Sequence, residues 1–183
     1  MSGQGHKAYS AILLAAGSGS RMAADRNKIF LTLADQAIFQ YALYLFLSDS
    51  DCKQVILVGK ADEKAYFTAF LSDRVCFVVG GAERQDSVRH ALEEVSEAAV
   101  MIHDGARPFV TLAELAALKA QDNAILAVPV KDTIKQVDPD GKIKQTVPRD
   151  KLWGAQTPQF FETSLIQEVH HIAHLKVFLG TAA

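Results

Sequence analysis

Short apolar runs alternate along this chain with segments of helical period, and each apolar run ends at a loop of small or chemically unusual residues. Ala11 to Leu14, Gln54 to Val58, Val75 to Val79, Ala99 to Ile102 and Ala124 to Val130 are apolar on both alternating faces. Such runs fit strands buried on two sides, as in parallel sheets. Between them, Ile38, Tyr41, Ala42, Leu45 and Phe46 recur at helical spacing. So do Tyr66, Phe67, Phe70 and Leu71, and then Val88, Ala91, Leu92 and Val95, with Asp86 or Ser87 as the expected cap. Thr111 and Glu114 predict a capping box for a further helix. Strand and helix repeated in this way predict an α/β fold, a mostly parallel sheet with helices on both faces. Ligands then bind beyond the carboxyl ends of the strands, which directs attention to the loops after Leu14, Val79, Ile102 and Val130.

Two segments depart from the alternation. Ile134 to Val137, the turn Asp138-Pro139-Asp140-Gly141 and Ile143 to Val147 predict a polar, highly charged hairpin projecting from the sheet. It reads either as a solvated edge or as an arm that docks on a second subunit. The last helix is expected from about Ser164, with Gln167 completing a capping box and Leu165, Val169 and Ile172 as its apolar stripe. The chain has 183 residues, enough for one domain over 1–183 with 131–150 as a β-arm. With 19 basic and 21 acidic residues the net charge is −2, so no global basic field points to nucleic acid. No stretch reaches the length of a membrane span, and the polar first ten residues lack the core of a signal peptide. Cys52 and Cys76 do not make a disulfide framework. A cytoplasmic protein with no membrane or nucleic-acid partner is expected.

Three loops carry charge or glycine where chemistry is expected. The first, Ala15-Ala16-Gly17-Ser18-Gly19-Ser20-Arg21, offers close backbone approach to a phosphate. It matches neither the dinucleotide fingerprint nor a P-loop. Instead it is followed by two cations, Arg21 and Lys28, which suit a triphosphate whose charge grows at the reacting phosphorus. The second loop runs from Gly80 and Gly81 through Arg84 to Ser87. The third, His103-Asp104-Gly105-Ala106-Arg107-Pro108, puts a carboxylate at the end of a buried strand, where it needs a partner. Magnesium shared with substrate phosphates would supply one; an Asp104–Arg107 turn pair is the simpler alternative. His103 reads as a core or supporting histidine. Farther on, Arg149, Trp153 and Thr157-Pro158 form what reads as an ordered loop able to receive an anion. His170, His171 and His174 lack an acidic or cysteine companion and read as an exposed helix end.

Taken together, five segments resemble the 2-C-methyl-D-erythritol 4-phosphate cytidylyltransferase family: 11–22, 80–87, 103–108, 127–133 and 152–159. They occur in family order over nearly the whole chain. Ribitol-5-phosphate cytidylyltransferases look similar in the first three, whereas Asp132-Thr133 and the segment from Trp153 to Gln159 favour the erythritol enzymes. The resemblance implies a Rossmann-like domain that transfers CMP from CTP to a polyol phosphate, with Mg²⁺ bound. It implies Arg21 and Lys28 as catalytic cations and Ala15, Ala16, Gly17 and Gly19 as the triphosphate loop. It places Gly80, Gly81, Arg84, Ser87, Asp104 and Gly105 around the nucleotide, with Asp104 beside the metal. Thr133, Arg149 and Thr157 would hold the acceptor, and the arm would interlock a homodimer.

The chain departs from the family pattern at two places. Where the family carries Pro-Lys-Gln, this sequence reads Asn27-Lys28-Ile29, which is expected to loosen the loop. After Gly180-Thr181 it reads Ala182-Ala183, whereas the family continues through several dozen residues that include a lysine near the triphosphate. A chain lacking that segment is expected to fold but to turn over poorly. Two other readings therefore stand beside the enzyme: a weakly active nucleotide-binding form, and an α/β binding domain whose glycine loops are structural.

Overall fold

The computed structural model describes residues 7–17 and 27–180, with side chains as far as residue 173. The chain enters through β1 (Tyr9–Leu14), a two-residue ladder of β2 (Thr32–Leu33) and β3 (Gln36–Ala37), and α1 (Ile38–Ser48). Then come β4 (Cys52–Gly59), the single turn α2 (Lys64–Phe67), β5 (Val75–Val79), α3 (Arg84–Leu92) and β6 (Ala99–Asp104). The second half holds α4 (Leu112–Lys119), β7 (Ala124–Pro129), the hairpin β8 (Ile134–Val137) and β9 (Ile143–Val147), β10 (Trp153–Glu162) and α5 (Thr163–Gly180). Six strands form one sheet in the order β5-β4-β1-β6-β10-β7. Neighbours from β5 to β6 are parallel. β10 runs antiparallel between β6 and β7.

The two-sided burial expected of the apolar runs is present in β1, β4 and β6, but not in the edge strand β7, where Ile125 and Val128 stay exposed. Ala11 and Leu13 of β1, Val55 and Leu57 of β4 and Met101 of β6 face one core, with Phe39, Leu43 and Phe46 of α1 and Leu115 of α4. Ile12, Ile56, Val58, Val100 and Ile102 point the other way and pack on Val88, Ala91 and Leu92 of α3. Alternate residues of each strand thus serve opposite layers, which is why the strands read as continuous apolar runs.

Several expectations need correction. The segment from Trp153 to Glu162 is a ten-residue strand, not a loop. Pro158 and the glycine and glutamines around it conceal its alternation, yet its register with β7 shifts between Ala155 and Gln159, where proline's missing N–H is tolerated. Because β10 intervenes, β7 is not parallel-paired to β6. In α1 the buried face is Phe39, Ala42, Leu43 and Phe46. Tyr41 instead sends its hydroxyl to the Leu33 carbonyl. The segment Ala61–Phe70 breaks into two 3₁₀ turns around α2, so Tyr66 stays exposed while Phe67 is buried. The cap of α3 is Glu83, whose N–H donates to the Asp86 carboxylate at 3.2 Å; Ser87 reaches elsewhere, and Val95 lies past the helix. On α5, Leu165, Val169 and Ile172 are 43%, 51% and 45% exposed, so the stripe does not face the core. That helix is fastened by other groups: the Thr163 hydroxyl donates to the Glu97 carbonyl and the Gln167 amide to the Leu92 carbonyl.

The Thr111–Glu114 box forms as read. So does the hairpin, with Gly141 at φ +79° and the Asp138 carboxylate accepting from the N–H groups of Asp140 and Lys142. Both cysteines are free. Among the described residues no helix is long and apolar enough to cross a membrane.

Candidate active site

The carboxyl ends of the parallel strands are drawn together by bonds that carry each ladder one residue into its loop. Ala15 N–H donates to the Val58 carbonyl at 2.7 Å, Gly80 N–H to Gly59 at 2.9 Å and Gly105 N–H to Leu14 at 2.8 Å. Above them opens a cavity of about 900 Å³. Its floor is Ala16 and Gly17 from the first loop and Gly80, Gly81 and Ser87 from the second; Lys28, Arg84 and Asp104 bring charge to it. The sequence-derived nucleotide residues therefore meet in one place. Ala15 and Gly105 sit just behind, holding the loop backbones as stated. Gly19 and Arg21 lie outside the described residues.

The second loop shows why glycine is needed there. A Cβ on Gly81 would lie 2.2 Å from the Asp86 Cβ, and one on Gly80 would lie 2.8 Å from both the Ala16 Cβ and the Ser87 Oγ. Buried Ser87 accepts from the Gly81 N–H at 3.0 Å, which folds the loop back over α3 and leaves its own hydroxyl proton to donate.

Asp104 ends β6 opposite Leu14 of β1. Its carboxylate is held between two guanidiniums. Arg84 donates to Oδ1 through Nε and Nη2 at 3.3 and 3.2 Å, and Arg107 donates to Oδ2 through Nε at 3.2 Å. The turn pair read from sequence is present, but a second arginine from α3 completes the clamp. These groups are a third to a half exposed, so their value lies in fixing geometry more than in stability. Arg107 also donates to the Gln156 side chain, tying the clamp to β10.

Fully buried His103 lies behind this turn, edge-on to Phe46. One ring nitrogen, Nε2, sits 2.9 Å from the Arg107 carbonyl, so it carries the proton and donates. Nδ1 is buried and has no partner among the described residues. Burial lowers the His103 pKa below its ordinary value, although the bond to Arg107 works the other way. The neutral ring is therefore a brace for the loop that carries Arg107.

The acceptor-side residues divide. The Thr157 hydroxyl accepts from the Asp104 N–H at 3.1 Å, directly under the cavity. Thr133 is exposed at the root of the hairpin, and Arg149 donates to the Lys131 carbonyl there. None of the three lines the cavity, and Thr157 is itself buried. Among the cavity residues that the sequence does not mark as site residues are Asn27 and Lys60. In the sequence Asn27 stands out only as a departure from the family pattern. Lys60 carries no motif; its one signal is its place straight after a buried strand.

The match to known proteins covers this whole arrangement. The family model described as IspD, 2-C-methyl-D-erythritol 4-phosphate cytidylyltransferase, matches residues 9–182. The chain belongs to this family. It is 42% identical over 183 residues to a 2-C-methyl-D-erythritol 4-phosphate cytidylyltransferase of Bacillus cereus, covering 94% of this chain and 80% of that protein. The counterpart in Bacillus cytotoxicus is 44% identical with the same coverage. Among solved structures, 4-diphosphocytidyl-2C-methyl-D-erythritol synthase of Anaerococcus prevotii superposes with a TM-score of 0.76 at 27% identity, over 93% of this chain and 76% of that one. The Thermus thermophilus cytidylyltransferase gives 0.70 at 29% identity, over 92% and 77%. Membership in the IspD family makes the chain a cytidylyltransferase, a nucleotidyltransferase class that acts in the non-mevalonate isoprenoid pathway. It takes the erythritol side of the alternative that the first three loops leave open.

Proposed function

We propose that this cavity binds CTP and joins its CMP moiety to 2-C-methyl-D-erythritol 4-phosphate. A phosphate oxygen of the acceptor attacks the α-phosphorus in line; the bond to the bridging oxygen of the β-phosphate breaks, and pyrophosphate leaves. The observation that carries this reading is the meeting of the glycine loop, Lys28 and the arginine-clamped Asp104 around one cavity of about 900 Å³. Such a reaction asks the protein chiefly for positioning and for charge at the reacting phosphorus. Lys28 and Arg21 supply the charge. The backbone of Ala15, Ala16, Gly17 and Gly19 cradles the triphosphate, and Gly80, Gly81, Arg84 and Ser87 flank the cytidine. Thr157, beneath Asp104, meets the acceptor.

Asp104 fits a magnesium ion that arrives mostly coordinated by phosphate oxygens and water. Its carboxylate has about four lone-pair positions, and the two arginines leave room on Oδ2, which among the described residues accepts from Arg107 alone. Such an ion would neutralise charge on the phosphates. Thr133 and Arg149, outside the cavity of their own chain, would serve the site of a partner subunit in a homodimer joined through the hairpin. The protein would work in the cytoplasm.

The test is pyrophosphate release from each of the four nucleoside triphosphates, with 2-C-methyl-D-erythritol 4-phosphate and with ribitol 5-phosphate. Turnover with CTP and the erythritol phosphate is expected. Turnover with ribitol 5-phosphate alone, or with none of the pairs, overturns the reading.

A further inference from the structure

We infer that Asn27 is a positioning residue for the reaction: its buried amide, bridged to Glu63, holds Lys28 against the cavity and locks that lysine to the glycine loop. The inference rests on the reading of Lys28 as a catalytic cation. Lys28 is exposed to the cavity, yet its two neighbours are anchors: Asn27 is 9% exposed and Ile29 is 2%. Ile29 belongs to the main core, and Phe30 packs on Phe39, Tyr66 and Phe67. Core packing thus fixes the far side of Lys28. Asn27 fixes the near side by hydrogen bonds.

Each polar atom of the Asn27 side chain has a use. Nδ2 donates to the Ala15 carbonyl at 2.7 Å and to the Glu63 carboxylate at 3.3 Å. Oδ1 faces the Ile29 N–H at 3.4 Å, and the Asn27 carbonyl accepts from Phe30 N–H at 3.0 Å to close the turn around Lys28. Ala15 begins the triphosphate loop, and its own N–H is bound to Val58 of β4. The same Glu63 oxygen that meets Asn27 also faces the Lys60 N–H at 3.4 Å. One amide and one carboxylate therefore join the loop after β1, the loop after β4 and the turn bearing Lys28. A proline at position 27 would suit the backbone there, with φ near −56°. It would supply none of these cross-links. In this chain the asparagine makes the connection through its side chain, so the departure from the family pattern anchors the loop instead of loosening it.

The experiment is a double-mutant cycle on the full chain, read by steady-state pyrophosphate release below the melting midpoint of every variant. Asn27→Ala is expected to lower kcat between about tenfold and a hundredfold, because a cation displaced by about an ångström loses its alignment. The KM for CTP should move little. In a Lys28→Ala background the same substitution should cost nothing more, since its effect passes through the missing lysine. Glu63→Ala, which opens no core, should follow the same pattern with a smaller loss of roughly threefold, and it serves as the probe should Asn27→Ala not fold. Losses that multiply with that of Lys28→Ala would mean a general structural role and overturn the inference, as would a wild-type kcat in both variants. Lys28→Ala at wild-type turnover would instead remove Lys28 from the chemistry, and with it the route by which Asn27 acts.

Discussion

The backbone N–H of Asp104 donates to the side-chain hydroxyl of Thr157 at 3.1 Å, joining the last residue of a central parallel strand to the antiparallel strand beside it. In the proposed function this bond would tie the nucleotide side of the cavity to the acceptor side. Thr157→Val keeps the volume but leaves the Asp104 N–H without its acceptor, a cost of about 1–3 kcal/mol. The variant should melt earlier and show a raised KM for the erythritol phosphate. Thr157→Ser, which restores the hydroxyl, should recover most of both. A valine variant with wild-type kinetics and midpoint would show that the bond is dispensable.

Arg21→Ala and Lys28→Ala should each lower turnover by about 10²–10³, the usual cost of removing a charge-stabilising donor at a transition state. Lys28 lies exposed on the cavity, so its loss should leave the thermal midpoint nearly unchanged. Turnover and melting measured on the same preparations check both halves of this expectation.

Asp104→Asn weakens both arms of the arginine clamp and removes the one carboxylate proposed to meet magnesium. The Mg²⁺ concentration for half-maximal activity should rise. If the magnesium titration is unmoved while kcat falls, Asp104 serves only to orient Arg84 and Arg107.

How much of this was legible in the sequence depended on the range of the interaction. The parallel strands were visible because burial on both faces writes itself as unbroken apolar runs, as in Ala11 to Leu14. The second loop was visible because Gly80, Gly81 and Ser87 act within a few residues of one another. β10 was hidden because Gly154, Pro158 and three glutamines or threonines interrupt its apolar signal, while its place between β6 and β7 is set by partners distant in sequence. The same holds for the Arg84–Asp104 bond and for Asn27, whose partners Ala15 and Glu63 are fixed only once the strands have paired. The stripe on α5 misled for the opposite reason: period alone locates an apolar face but does not say that anything covers it.

Among the described residues the hairpin formed by β8 and β9 pairs with no other sheet, and it exposes Val137 and Ile143 at 51% and 64%. An isolated two-stranded ribbon is marginal in water, and the proposed homodimer would cover these side chains. Deleting Val137 to Lys142 should give a folded monomer with a raised KM for the acceptor. Sedimentation identical to that of the intact chain would remove the arm from the interface.

Acid should destabilise the protein through His103. Burial holds its folded pKa below the ordinary value, with Nε2 donating to the Arg107 carbonyl and Nδ1 without a partner among the described residues. Protonation would bury a second N–H for which the described residues supply no acceptor. In the unfolded chain the same ring takes up a proton near pH ~6.5. The unfolded state thus binds more protons as the pH drops below that value. The contribution of the neutral ring is therefore complete above about pH 6.5 and is lost as the pH falls through the lowered folded value. His103→Gln retains a donor for the Arg107 carbonyl but cannot titrate, so its stability should decline less steeply toward acid, by at most about one proton in slope. Denaturant unfolding of both proteins between about pH 5 and pH 8 reads this directly. Equal slopes would mean that the pocket accepts the imidazolium, and that the Arg107 turn does not depend on a neutral His103.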